Sequence, residues 1–212
     1  VAAVDAVATV EVRGEAILRA EPDEALLWIT LTATADSPGP AIADVATRSV
    51  ALAAILDELR VEKADRTTAG VTVSEEFDHT PQGRRSLGHR AATQVALRLT
   101  DPQLIGQLVS RAADELAARI DGPRWQIAPG NPVRLEAARE AARDAERRAR
   151  AYAEGVGATL GRPLRLAEPE HGHVARAQAA GSRFDAVQVE PGEQEVTASI
   201  KVTFALETGG TR

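Results

Sequence analysis

The residues best placed to do chemistry lie in "EPEHGHVARAQ", where Glu170, His171 and His173 fall within four positions. In an extended segment an H-x-H pair can point two imidazoles at one ion, which suits zinc or copper. A third ligand from elsewhere would be needed, and the remaining histidines, His79 and His89, lie in or beside a different loop. The competing reading is a solvated loop, and the short spacing favours it. A serine hydrolase would want a nucleophile in a G-x-S-x-G setting with a base and an orienting acid. Ser86 and Ser182 sit in polar stretches without that setting. Glu75 and Glu76 are adjacent, and neighbours on a strand point to opposite faces, so they do not share one acid–base site. "GRRSLGHR" carries Arg84, Arg85 and Arg90 but lacks the strand, glycine loop and helix that cradle a phosphate, so it reads as a solvated hairpin tip. The sequence therefore assigns no catalytic, cofactor-binding or metal-binding residue, and the expectation is a protein that is not an enzyme and needs no cofactor.

Bulk properties narrow the classes further. A chain of 212 residues can bury a core without metal or disulfide staples, as one domain or as two intertwined α+β subdomains. With 25 basic and 31 acidic residues the formal charge is −6, which argues against a nucleic-acid partner or an anionic membrane surface. Cysteine is absent, which excludes disulfides, thiolate catalysis and iron–sulfur clusters. The opening "VAAVDAVATVEVRG" has no basic segment and no long apolar run, so it reads as neither signal peptide nor membrane span. Location stays open, cytoplasmic as the chain stands or periplasmic if a leader was removed. The cations are nearly all arginine, with Lys63 and Lys201 the two lysines, a genomic bias in composition.

The elements that must carry these residues follow from periodicity. Val7–Arg13 and Ala25–Thr34 alternate, the second with Leu27, Ile29, Leu31 and Ala33 on one face and Trp28 on the other, and the expectation is that they pair as a hairpin. Pro22 and Asp23 mark the entry to the second strand, because proline cannot serve a central ladder. Ile42, Val45, Ser49, Leu52, Leu56 and Leu59 mark a helix from about Pro40 to Arg60. Strands are expected around 68–76 and 90–100, the second with Thr93, Val95, Leu97 and Leu99 inward, joined across the polar loop "DHTPQGRRSLG". Asp101-Pro102 opens a helix through Ile105, Leu108, Ala112, Leu116 and Ile120 that stops near "DGP", before a brief strand around 124–128. Asn131-Pro132 opens a longer one ending near Gly155 and Gly157, with Ala138, Ala141, Ala145, Ala149, Tyr152 and Val156 inward. Its outer side offers the pairs Glu140–Arg143, Asp144–Arg147 and Asp144–Arg148. "RPLRLAEP" is strand-like, residues 170–185 have no period, and Glu195–Leu206 alternates strictly. A helix followed by two strands thus occurs twice. The fold class is α+β, antiparallel sheet or sheets with three helices packed on them.

Four segments together carry a resemblance. "VRGEA" followed by "PDEA", then "TAGVTV" with "GHRAATQVAL", then "AREAARDAERRARAYAEGVGATLGRPLRL", and finally "PGEQEVTASIKVTFAL" resemble, in order, the SIMPL-domain family, domain of unknown function 541. The resemblance covers nearly the whole chain. The family includes bacterial periplasmic or surface-associated immunogenic proteins and an animal protein that associates with a Pelle-like interleukin-receptor kinase. It implies an α+β fold that tends to self-assemble, with no established catalysis. The chain departs from it at Ala16, where a second glycine is common, and at His89, where an aromatic is common.

The functional expectation is a non-enzymatic scaffold or protein-interaction protein of the SIMPL type, self-assembling into a homo-oligomer, with no nucleic-acid partner and no integral membrane segment. Trp28 and Trp125 are candidate anchors, Trp28 first because alternation places it opposite Leu27, Ile29 and Leu31. The alternatives are a small-molecule or metal-binding enzyme built on the 170–185 loop, and a monomeric adaptor using the 77–89 hairpin tip.

Overall fold

The computed structural model describes residues 8–80, 83–168 and 192–208. Its strands are β1 (Thr9–Ala20), β2 (Glu24–Ala35), β3 (Arg66–Thr68), β4 (Thr72–Thr80), β5 (Gly83–Leu99), β6 (Arg119–Gln126), β7 (Ala158–Ala167) and β8 (Gln194–Thr208), with helices α1 (Pro38–Glu58), α2 (Pro102–Leu116) and α3 (Pro132–Gly155). Three helices on two antiparallel sheets make an α+β fold. The chain divides into two units, one holding β1, α3, β7 and β8 and the other β2–β6 with α1 and α2.

The two longest N-terminal strands do not pair with each other, contrary to the hairpin expected from sequence. β1 pairs with β8, Val12 opposite Val202, while β2 pairs with β5, Leu27 opposite Leu97, and on its other edge with β6. Pro22 and Asp23 do precede β2, and the boundary between the units falls between them.

Both units trace one path. A strand leads to a helix and then to two long strands, the last of which lies centrally and pairs antiparallel with the first: β1, α3, β7, β8 in one, and β2, α1, β4, β5 in the other, where the three-residue β3 comes before β4. In the second unit, α2 and β6 follow. Its core is Ala25, Leu27, Ile29 and Leu31 of β2 and Val95, Leu97 and Leu99 of β5, against Leu52, Ile55 and Leu56 of α1 and Ile105, Leu108 and Leu116 of α2. Each fully buried leucine or isoleucine contributes about 1.5–3 kcal/mol.

The helix starts are as the sequence indicates. The Asp101 carboxylate accepts from Gln103 N–H at 2.8 Å and the Asn131 side chain from Val133 N–H at 2.9 Å, and a proline follows each. The end of α2 is not. It stops at Leu116 with Ala117 left-handed (φ 45°), and Ile120, expected on the helix, lies in β6 opposite Ile29. "DGP" is a bulge in that edge strand, with Gly122 at φ 112° and the register shifting against Leu26 and Trp28. An edge tolerates both the bulge and Pro123.

In the other unit α3 buries Ala137, Ala141, Ala145, Ala149 and Ala153. Tyr152 and Val156, expected inward, are exposed. The face is selected by β1: a Cβ on Gly14 would stand 2.0 Å from Ala141 O and 2.7 Å from Ala145 Cβ. Strand and helix backbones meet at a spacing that only glycine over alanine permits.

Candidate functional site

The polar hairpin that held most candidates is ordered ladder, not loop. β4 runs to Thr80 and β5 begins at Gly83. Ser86 donates its hydroxyl to Glu75 Oε1 at 2.7 Å, Arg90 Nη1 pairs with Glu76 Oε1 at 3.1 Å, and Asp78 stands across from Arg85. Glu75 and Glu76 thus serve separate cross-strand partners, and acids alternate with arginines where an anion cradle would need cations alone. His89 Nδ1 lies 3.3 Å from Asp36 O and serves as its donor. A serine whose hydroxyl is given to a carboxylate, with no imidazole bonded to it among the described residues, lacks the nucleophile–base relay there. The strand expected over 68–76 is two, β3 and β4, broken at residues 69–71.

Glu170, His171, His173 and Ser182 lie outside the described residues. Among the described residues no three His, Cys, Asp or Glu side chains gather as a metal site.

Two concavities are lined by charged side chains. One, about 220 Å³, is lined by Glu24, Arg60, Glu62, Asp65, Arg98 and Asp101, and its charges are largely engaged. Asp65 faces Arg98 at 3.9 Å, Asp101 caps α2, and Glu24 accepts from Gln126. It is smaller than the roughly 300–1,000 Å³ of small-molecule sites. The other, about 400 Å³, lies along α3 between Arg143, Arg147, Arg150, Glu146 and Glu154. There Arg150 pairs with Glu146 at 2.7 Å, within one helix turn.

The ionisable groups most engaged serve structure. Arg111 is shared by Glu115 on α2 and Glu58 on α1, both at 2.7 Å. The Glu115 bond, then Glu58, raises the guanidinium's pKa, while Glu115 is held below the usual carboxylate range. Lys201 at 2.7 Å lowers Glu11 across β1 and β8. Asp144 accepts Glu15 N–H at 3.1 Å with Arg148 and Arg147 beside it; that backbone bond first, then the arginines, depresses its carboxyl. Three part-buried arginines close backbone gaps: Arg48 donates to Thr32 O and Leu116 O, Arg66 to Val61 O, and Arg134 to Ala128 O and Ile127 O. Sequence reading found the Asp144 pairs but missed its backbone partner and these arginines, whose signal is only a lone cation on an otherwise apolar helix face, as at Arg48.

A family model, SIMPL, described as a protein of unknown function (DUF541), matches residues 10–204. The chain belongs to the SIMPL family. A search of curated proteins finds no match for this SIMPL chain. Among solved structures it is similar to a hydantoinase/carbamoylase family amidase from Burkholderia ambifaria, with 17% identity over 58% of this chain and 34% of that one, at a TM-score of 0.26. It is also similar to a putative amidohydrolase/peptidase from Burkholderia cenocepacia, with 20% identity over 62% and 33% of the respective chains, at a TM-score of 0.22. The SIMPL chain thus spans about a third of the length of these amidases, and at such scores the likeness carries no argument about activity.

What the SIMPL domain does present is apolar surface. Trp28 lies half-buried on the sheet face opposite Leu27 and Ile29, with the Arg124 guanidinium 4.7 Å from its ring centroid. Trp125 instead packs partly buried against the core beside Ala25. Ile17, Val50, Leu135 and Leu166 are exposed. By length and composition α1 is apolar enough to cross a membrane, yet it lies on the sheet with Val45, Leu52 and Leu56 buried.

Proposed function

We propose that this SIMPL chain is a non-enzymatic interaction module that assembles with copies of itself. The observation that carries the reading is a contrast among the described residues. Side chains capable of acid–base or nucleophilic work are bonded into the framework, as Glu75 with Ser86 and Glu76 with Arg90. Large apolar side chains, Val50, Val71, Leu135 and Leu166 among them, stand in solvent. Where such side chains join into a contiguous patch, that patch is an association surface. The test is the molar mass of the native chain by light scattering over a dilution series. A discrete assembly supports the reading, and a monomer at every concentration removes self-assembly from it.

A further inference from the structure

The path shared by the two units shows where one of them enters the other. In the second unit the first strand reaches its helix through two residues, Asp36 and Ser37, between β2 and α1. The matching step in the first unit, from β1 to α3, holds all of residues 23–126. A whole unit thus stands where a two-residue turn would serve. Connections between elements take such insertions when the inserted ends lie together. Here they do. Glu24 is paired with Gln126 and Ala25 with Trp125 across β2 and β6, and the Gln126 amide donates to Glu24 Oε1. Partners across an antiparallel ladder lie about 4.5–5.5 Å apart, so the chain leaves the second unit beside the point at which it entered.

Each unit also has a core of its own. The largest cluster, running from Ala25 to Trp125, is built from residues 23–126 alone, and so is the smaller one of Ala33, Ala41, Val45 and Ala91. In the first unit Val12 clusters with Val202 and Phe204, and Ile127 with Ala137 and Val196. A stretch as long as 23–126 buries enough apolar surface to fold without metal, disulfide or partner. We infer that residues 23–126 are an inserted domain that folds and unfolds independently of the residues on either side of it, with the β2–β6 pairing closing its base. The first unit is then a discontinuous domain, its β1 separated from α3, β7 and β8 by the insert. Such independence holds for a monomer and for an assembly alike. Its consequence is that a local perturbation stays in the unit where it is made.

The positions of the tryptophans supply the readout. Both Trp28 and Trp125 lie in the insert, so their fluorescence follows that unit alone. α3, with 24 residues against 21 in α1 and 15 in α2, carries two-fifths of the helical circular dichroism and reports the first unit. The experiment is a urea titration of the full chain at one protein concentration, followed by both signals. Asp144→Asn, on α3, should lower the midpoint of the α3 portion by about 1 M and leave the fluorescence midpoint where it was. Gly14→Ala should move the same portion further. Arg48→Ala, on α1, should do the reverse, lowering the fluorescence midpoint while the α3 portion stays. If any of these variants shifts both signals by the same amount, the chain unfolds as one body and the inference is overturned. Should none of them shift either signal, amide hydrogen exchange of the native chain decides. Separate urea dependences for the opening of β2 and of β8 support the inserted domain, and a single shared opening overturns it.

Discussion

Gly14→Ala tests the packing of β1 on α3 more sharply than any change of charge. In a strand with ordinary backbone angles, glycine to alanine should stabilise by about 0.4–1 kcal/mol, since alanine restricts the unfolded chain. The structure reverses that sign. The added Cβ would lie 2.0 Å from Ala141 O and 2.5 Å from Ala145 N, where ordinary contact begins near 3.4 Å, and both obstacles are helix backbone that cannot rotate away. The layers must part, and a gap of 0.5–1 Å already forfeits about a quarter to a half of each dispersion contact along it. Val12 and Ala16 would lose their fit against Ala145 and Ala141. Overpacking costs about 1–3 kcal/mol, and the rigid neighbours place this case near 3. For a chain of this size that is a fall of about 6–12 °C in Tm. Gly106→Ala is the control, because nothing lies within 4 Å of its Cβ position on α2, and there the gain should be about 0.5–1 kcal/mol. Scanning calorimetry and urea titration of both variants decide the matter. A Gly14→Ala protein as stable as the parent, or more so, would refute the close approach.

Asp144→Asn should lose about 1–2 kcal/mol at neutral pH, since a charged acceptor is removed from Glu15 N–H. Because the folded carboxyl is depressed, its contribution is present above the ordinary aspartate pKa and vanishes as pH falls through the folded value. Parent and variant stability curves should therefore converge in acid, as urea titrations across pH 2–7 will show. Arg48→Ala leaves Thr32 O and Leu116 O without their donor and should cost about 1–3 kcal/mol by chemical denaturation. Arg48→Lys should recover little, because an ammonium cannot fork to both carbonyls and Asp44. Asn131→Ala should cost about 1 kcal/mol through loss of the α3 cap, read in the same titration.

Much of this architecture was legible because local rules decide it. Asp101-Pro102 and Asn131-Pro132 announce α2 and α3 by capping chemistry alone, and strict alternation announces β8. Partner choice was not legible. Nothing between Arg13 and Ala25 says that β1 will cross to β8, because pairing over so long a separation leaves no signal in the local sequence. The α3 stripe was read correctly at Ala141, Ala145 and Ala149 and misplaced at its ends, Tyr152 and Val156. Alanines at four-residue steps offer several faces, and Gly14, distant in sequence, selects one. "DGP" carries the signature of a turn, yet on the β6 edge the same residues make a bulge. The polar hairpin had no apolar alternation to betray a ladder that cross-strand pairs such as Glu76–Arg90 sustain. For the candidate site, sequence showed the absence of catalytic motifs, but exposed Val50 and Val71 became visible only once the helices had taken their places.

The most direct measurement is the molar mass of the purified native chain, by size exclusion with light scattering, across a wide range of concentrations. The account predicts a discrete multiple of the 22.4 kDa chain mass that persists on dilution. A mass of one chain throughout would contradict it.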